Sequence, residues 1–154
     1  MGTSQKVVPL DLIIDSIEMA SDYSREYLDT EEMEIVSLPT DGSYLFDPEA
    51  QQLAEDLDAD IEGRYKPLPS TWDIDEYDIM REFVYSLTSA KKQEKLSRAL
   101  QGRGAFHRFK DAVWDLGLRD QWFAFQHEAY EEIARSWCRE QGLACDRPEE
   151  EEED

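Results

Sequence analysis

The segment GRGAFHRFKD at residues 102–111 has the residue types and spacing best suited to binding an anion. Its two glycines permit a tight turn or a positive φ, and the unpaired N–H groups at the start of a following helix attract negative charge. Arg103, His107 and Lys110 follow at steps of four and three, so they share one helical face that Trp114 extends by a turn. The predicted anion or nucleic-acid face therefore comprises Arg103, Gly104, His107, Lys110 and Trp114.

The same segment is also typical of a packed turn between two helices. It lacks the third glycine and the preceding strand of a dinucleotide fingerprint. It also lacks the Lys-Ser or Lys-Thr pair of a phosphate-binding P-loop. In this interpretation the glycines serve the turn and its packing, and Phe106 and Phe109 are predicted to lie in the core. The residues leave both interpretations open.

Acidic side chains form the other candidate surface. Asp56, Asp58 and Asp60 alternate like the start of a calcium-binding loop. Ile61 stands where such a loop requires glycine, and Pro67 stands where it requires glutamate, so the EF-hand pattern fails. We therefore predict that the three aspartates are a face for a basic partner. The sequence predicts no catalytic residue, no metal-ligand set and no cofactor.

Charge is distributed unevenly along the 154 residues, whose formal net charge is −21. Residues 1–88 carry 22 acids and 5 bases, and residues 89–147 carry 9 acids and 11 bases. Residues 91–110 alone carry seven Lys and Arg against one Glu. This basic stretch either offsets the self-repulsion of the acidic half or meets an anionic partner. The PEEEEED tail at residues 148–154 is predicted to be disordered.

Composition and hydropathy limit the class of protein. With 4 Trp, 7 Tyr and 6 Phe, the chain has the aromatic content of a folded core. It has no apolar run near the ~18 residues of a membrane helix and no signal-peptide apolar region. We therefore predict a cytoplasmic protein with no membrane association and with a single domain at residues 1–147. Cys138 and Cys145 are too few for a disulfide framework, and Cys138 is predicted to be a buried apolar residue on the last helix.

Hydrophobic periodicity and turn residues predict an α+β fold. A small antiparallel sheet, made of a hairpin and a possible third strand, is expected with helices, and a helical C-terminal half follows. Ser70 and Asp73 have the spacing of a capping box, which predicts that a helix begins there. The other predicted helices are 9–20, 47–57, 90–100, 105–116 and 119–141, and the extended segments are 24–28, 33–38 and 64–69.

The decapeptide at residues 102–111 also carries a family resemblance. Together with the WFAF segment at residues 122–125 and the ARSW segment at residues 134–137, it resembles uncharacterised protein family 0158, a group of small bacterial proteins. His107 stands where the pattern more often has Arg, and Glu31 replaces a turn glycine. The resemblance implies a bacterial source and a cytoplasmic setting, and it implies no activity.

Two classes of function follow from the charge pattern. The first is a non-enzymatic interaction or regulatory protein whose acidic surface engages a basic protein partner, with a nucleic-acid mimic as one form. The alternative is a nucleic-acid-binding regulator that uses the basic turn and helix at residues 91–114, although a net charge of −21 repels phosphate at a distance. An enzyme has no supporting motif. The oligomeric state is left open.

Overall fold

The chain folds as an α+β protein, which confirms the predicted fold class. The computed structural model describes residues 7–71 and 73–146, so the predicted tail at residues 148–154 lies outside the described residues. None of the helices in these two ranges has the length and apolar character needed to span a bilayer. The elements are β1 (Val7–Pro9), α1 (Leu10–Met19), β2 (Ser24–Asp29), β3 (Glu34–Pro39), a 3₁₀ turn (Ser43–Phe46), α2 (Pro48–Asp58), β4 (Tyr65–Pro67), α3 (Glu76–Ser86), α4 (Ala90–Ala99), α5 (Ala105–Asp115), α6 (Arg119–Gln141) and β5 (Ala144–Asp146).

The described residues divide into two compact units. The helical unit is Asp75–Ala129, and the sheet unit consists of the described residues between 7 and 74 and between 130 and 146. The segment 75–129 contains nine acids and nine bases, so it is formally neutral, and the rest of the chain carries the whole net charge of −21. The change in charge between residues 88 and 89 thus falls inside the helical unit, although the surplus of acids lies outside it. A single domain over residues 1–147 stays a prediction.

The three-stranded sheet has the order β3–β2–β4, and both pairs of neighbours are antiparallel. β2 and β3 form the predicted hairpin. β4 is the predicted third strand, and its Pro67 pairs with Tyr27 at an edge of the sheet, where a missing N–H is tolerated. A second pairing, parallel between β1 and β5, was not predicted from the sequence, and it places Val8 opposite Cys145.

The core of the sheet unit forms around α1. Leu10, Ile13 and Ile17 are buried on one side of this helix, as their spacing predicts. Pro9 precedes the helix as its N-cap residue and ends β1, so strand and helix follow each other without a loop. In the same unit, the indole N–H of Trp137 donates to the carbonyl of Pro67 at 2.8 Å. This bond ties the C-terminal part of α6 to β4.

The two cysteines form a disulfide, which corrects the expectation that Cys138 is only a buried apolar side chain. Cys138 is buried, as predicted, but its sulfur is bonded to that of Cys145, with 6.1 Å between the Cα atoms. Gly142 explains the pairing, because its φ of 70° ends α6 and reverses the chain. The N–H of Leu143 then donates to the carbonyl of Cys138 at 2.9 Å. The last strand thus returns beside the helix it has just left.

Aromatic side chains fill the core of the helical unit. Phe83, Phe109 and Trp122 meet edge to face, with ring centroids 5.1–6.3 Å apart, and Phe125 packs on Phe83 at 5.4 Å. Phe109 is fully buried, as predicted, whereas the prediction that Phe106 lies in the core is wrong. Phe106 is 50% exposed because it lies in the first turn of α5, at the end of the apolar stripe.

The capping pattern at Ser70 and Asp73 begins a turn instead of a helix. The backbone N–H of Ser70 donates to the carboxylate of Asp73 at 2.9 Å, and the N–H of Asp73 donates to the carbonyl of Ser70. α3 begins only at Glu76, because Asp75 is the effective N-cap and its carboxylate accepts the N–H of Asp78 at 3.0 Å. The helix therefore starts at the cap formed by Asp75, two residues after the predicted capping box ends at Asp73.

Candidate binding surfaces

The turn before α5 has the backbone conformation that its two glycines permit. Gly102 has φ of 78° and Gly104 has φ of 73°, both in the left-handed region where L side chains are strained. Gly104 is the N-cap residue of α5, and no side chain caps the helix there. The need for glycine at these positions is therefore conformational, as the turn interpretation predicts.

Arg108 is part of this turn and not part of the exposed basic face. Its guanidinium donates to three backbone carbonyls, those of Ala99, Gln101 and Arg103, with a distance of 3.2 Å to the first. These carbonyls end α4 and begin the turn, where a cation also interacts favourably with the helix dipole. Arg108 therefore closes the α4–α5 connection, a role that counting the charges of residues 91–110 could not show.

The charged and aromatic side chains of the predicted face are exposed on α5 and in the turn before it. Arg103, His107 and Lys110 are all exposed, and Trp114 is 46% exposed. Nε2 of His107 lies 3.4 Å from Oδ2 of Asp111, one turn further along the same helix. His107, Lys110 and Trp114 therefore share one accessible side of α5, as their spacing predicts. Arg103 lies in the turn before the helix, where the positive φ of Gly104 breaks the helical spacing that predicted it on the same face.

Two residues of α6 complete this surface. The rings of Trp114 and Phe123 meet edge to face with centroids 5.7 Å apart. The guanidinium of Arg119 lies over both rings, at 5.6 Å from the Trp114 centroid and 5.7 Å from the Phe123 centroid. Sequence reasoning missed Arg119 and Phe123 because α6 reaches Trp114 only through tertiary packing, although their spacing of four placed them on one helical face. We call Arg103, His107, Lys110, Trp114, Arg119 and Phe123 the basic–aromatic strip.

The three predicted acidic-face residues do not form one face. Asp56 and Asp58 lie on α2 two positions apart, which is about 200° around a helix. Asp60 lies beyond the helix, and its carboxylate accepts the N–H groups of Gly63, Arg64 and Tyr65 at 2.9–3.1 Å. These hydrogen bonds lower the pKa of Asp60, and the bond from the N–H of Tyr65 has the largest effect. Asp60 therefore shapes the loop into β4, while Asp56 and Asp58 stay exposed.

Asp29 is the buried carboxylate of the sheet unit, with only 3% of its side chain exposed. It accepts both Nε and Nη2 of Arg64 at 2.8 Å, and it accepts the N–H groups of Glu31 and Glu32. The bond from Arg64 is the main reason that the pKa of Asp29 is lowered. Glu31, predicted as part of a solvated turn, lies 3.4 Å from Nη1 of Arg64. The bidentate pair of Asp29 and Arg64 joins the β2–β3 turn to the start of β4.

The described residues contain no set of side chains suited to bind a metal ion. Across 7–71 and 73–146, no group of three or more His, Cys, Asp and Glu side chains is arranged to hold a metal ion. Two charged surfaces stand out in these ranges, the acidic α2 region and the basic–aromatic strip.

The fold and its surfaces define a small α+β protein built from an acidic sheet unit and a formally neutral helical unit. The chain belongs to Uncharacterised protein family (UPF0158), whose model matches residues 6–151 and so covers nearly the whole chain. This match confirms the resemblance carried by the decapeptide. Comparison with curated proteins and with solved structures gave no match.

Proposed function

We propose that the protein is a non-enzymatic interaction protein whose sheet unit binds a basic protein partner through residues 41–62. The observation that carries this proposal is the charge of that segment, which contains eight acids and no Lys, Arg or His. Such a density of one sign creates a field that attracts a basic partner and accelerates its association. The acidic face is therefore broader than the three aspartates that the sequence pattern singled out.

The α2 region has the shape of an accessible docking surface. α2 has no buried residue, and its outward positions include Glu49, Glu55 and Asp56. Two large apolar side chains flank the helix in a nearly fully exposed state, Phe46 at 89% and Ile61 at 92%. Apolar anchors within a charged rim are typical of protein interfaces. These anchors would give affinity, while the carboxylates would select for a basic partner.

The nature of the partner follows from the same chemistry. Carboxylates displayed on a helix can occupy the phosphate-binding cleft of a nucleic-acid-binding protein, so such a protein is the partner we favour. We place the interaction in the bacterial cytoplasm, as the resemblance of the decapeptide to small bacterial proteins implies. In that setting the Cys138–Cys145 pair would be reduced to two thiols, because cytoplasmic thiols are normally kept reduced.

A matched pair of charge reversals tests the acidic surface. Asp56→Lys with Asp58→Lys changes the charge of α2 and leaves Asp60 to hold its loop. Asp15→Lys with Glu18→Lys is the control, because it makes the same change at exposed positions of α1. The immobilised proteins would be challenged with a purified basic DNA-binding protein already bound to a labelled duplex, and release of the duplex would be measured.

Wild type and the α1 control should release the duplex, and the α2 variant should not. Equal release by both variants would show that only overall charge matters, and no release by wild type would remove the proposal. Circular dichroism of each variant would confirm that the fold is retained.

A further inference from the structure

The basic–aromatic strip combines exposed aromatic rings with exposed cations of α5, of the turn before it and of the start of α6. Single exposed apolar residues are normal on a protein surface. Trp114 and Phe123 differ, because they contact each other while remaining 46% and 44% exposed. Phe106 adds a third ring, 50% exposed, on the same helix as Trp114. The helical unit buries three aromatic rings, Phe83, Phe109 and Trp122, and presents these three to solvent.

The cations of the strip are not consumed by ion pairs. Arg103, Lys110 and Arg119 form no salt bridge with any carboxylate in the part of the chain that the structure describes. Arg98 of α4 differs, since its guanidinium lies 2.8 Å from Glu94. The exposed acids on α5 and α6 are Asp111, Asp115, Asp120, Glu128, Glu132 and Glu140. In the described residues only Asp111 pairs with a residue of the strip. Among the described residues the strip thus keeps three cations without a salt bridge, and one of them, Arg119, lies over the two exposed rings.

We propose that the basic–aromatic strip binds single-stranded nucleic acid, with a base stacked on the Trp114–Phe123 pair and the backbone phosphates on Arg103, Lys110 and Arg119. An exposed ring stacks any base, and a nearby guanidinium contributes cation–π contacts and phosphate contacts. The proposal is independent of the acidic α2 region, which lies in the other unit.

Single strands fit this surface better than a duplex. Bases in a duplex are already stacked on one another, whereas a single strand offers unstacked bases to an aromatic side chain. A duplex also concentrates phosphate charge, so the overall charge of −21 opposes it more strongly. The helical unit is formally neutral, so no surplus of acids in its own unit opposes an anionic ligand.

Fluorescence anisotropy with labelled oligothymidylate, oligouridylate and a matched duplex tests the proposal across a salt series. Wild type should bind the single strands more tightly than the duplex, and the affinity should fall as salt rises. Trp114→Ala should weaken binding by about tenfold or more, while Trp114→Phe should retain most of it. Lys110→Glu should weaken binding and reduce the salt dependence.

Two control variants separate the strip from the rest of the helical unit. Tyr85→Ala removes an aromatic ring that is 74% exposed on α3, and Lys91→Glu reverses an exposed charge on α4. Both should bind like wild type. Equal weakening by Lys91→Glu and Lys110→Glu would replace the strip by a diffuse basic surface and overturn the proposal.

Self-association is the competing outcome for exposed rings. If wild type binds no oligonucleotide but elutes as a dimer that Trp114→Ala converts to a monomer, the strip is an interface between two copies and the proposal is wrong. Binding that survives both Trp114→Ala and Phe123→Ala would also overturn it. Neither result bears on the α2 surface, which is read out by a different partner.

Discussion

The sheet unit and the helical unit both bury apolar side chains, but they differ in the interactions added to that burial. The sheet unit buries a carboxylate, Asp29, against Arg64 and closes its last strand with a disulfide. The helical unit buries Phe83, Phe109 and Trp122 in edge-to-face contact. The helical unit is formally neutral, and the rest of the chain carries the net charge of −21. The comparison teaches that the net charge of a chain can describe one part of it and mislead about another.

The aromatic core should be the most sensitive point of the comparison. Phe83 is 2% exposed and touches three other rings, so Phe83→Ala should lower the free energy of unfolding of the helical unit by about 3–5 kcal/mol. Hydrogen exchange followed by mass spectrometry would locate the loss, which should be largest in α3, α5 and the first half of α6. Tyr85→Ala, on the same helix but exposed, should change stability by less than about 0.5 kcal/mol.

If the two variants were equally stable, the ring contacts would not hold this unit together. The comparison with the sheet unit would then rest on charge alone.

The buried carboxylate should be the corresponding point of the sheet unit. Asp29→Asn removes the charge that pairs with Arg64 and should cost about 3 kcal/mol, because the cation loses its buried partner. Chemical denaturation would measure the loss, and hydrogen exchange should place it in β2, β3 and β4. Glu31→Gln is the control, since its side chain is 65% exposed and its contact with Arg64 is longer; it should cost less than about 1 kcal/mol.

The pH dependence of the free energy of unfolding tests the contribution of Asp29 to the sheet unit in the wild-type protein. The folded-state pKa of Asp29 is lowered, so the unfolded chain binds its proton at a higher pH than the folded chain does. The stabilisation is therefore fully present above the unfolded pKa, near 3.8, and is lost as pH falls through the folded pKa. In chemical denaturation measured at a series of pH values, Asp29→Asn should reduce the loss of stability at acid pH. An unchanged loss would show that Asp29 is not its source.

The smallest expected effect concerns a helix cap in the helical unit. The hydroxyl of Ser89 accepts the N–H of Lys92 at 3.2 Å and caps α4. Ser89→Ala should therefore cost about 1 kcal/mol in thermal or chemical unfolding. Ser97→Ala, at an exposed interior position of the same helix, should cost nothing measurable. A cost shared by both would point to a general property of the helix and not to the cap.

Local signals explain why most of the elements could be predicted. Asp47 followed by Pro48 starts α2, and Gly117 and Gly142 end α5 and α6, because each residue acts through its own backbone or its nearest neighbours. The hairpin and the helical face of α5 follow from spacing alone. The family resemblance, confirmed over residues 6–151, also rests on short local segments, of which the decapeptide at residues 102–111 is the longest.

Long-range contacts explain what could not be predicted. Asp29 and Arg64 are 35 positions apart, and neither has a local pattern that identifies the other. β1 and β5 have three residues each, too few for alternation to be visible. In the candidate strip, Trp114 could be identified by helical spacing, whereas Arg119 belongs to the next helix and reaches it only in the fold.

The parallel pairing of β1 with β5 has a consequence for the order in which the protein is made. Val7 pairs with Ala144, so the first described strand emerges from the ribosome 137 positions before its partner. At about 5–20 residues per second, this delay is roughly 7–27 seconds. The helical unit is contiguous in sequence and can complete itself during that interval, whereas Val8, fully buried in the finished fold, must wait uncovered. During synthesis the helical unit can therefore fold before β1 pairs with β5.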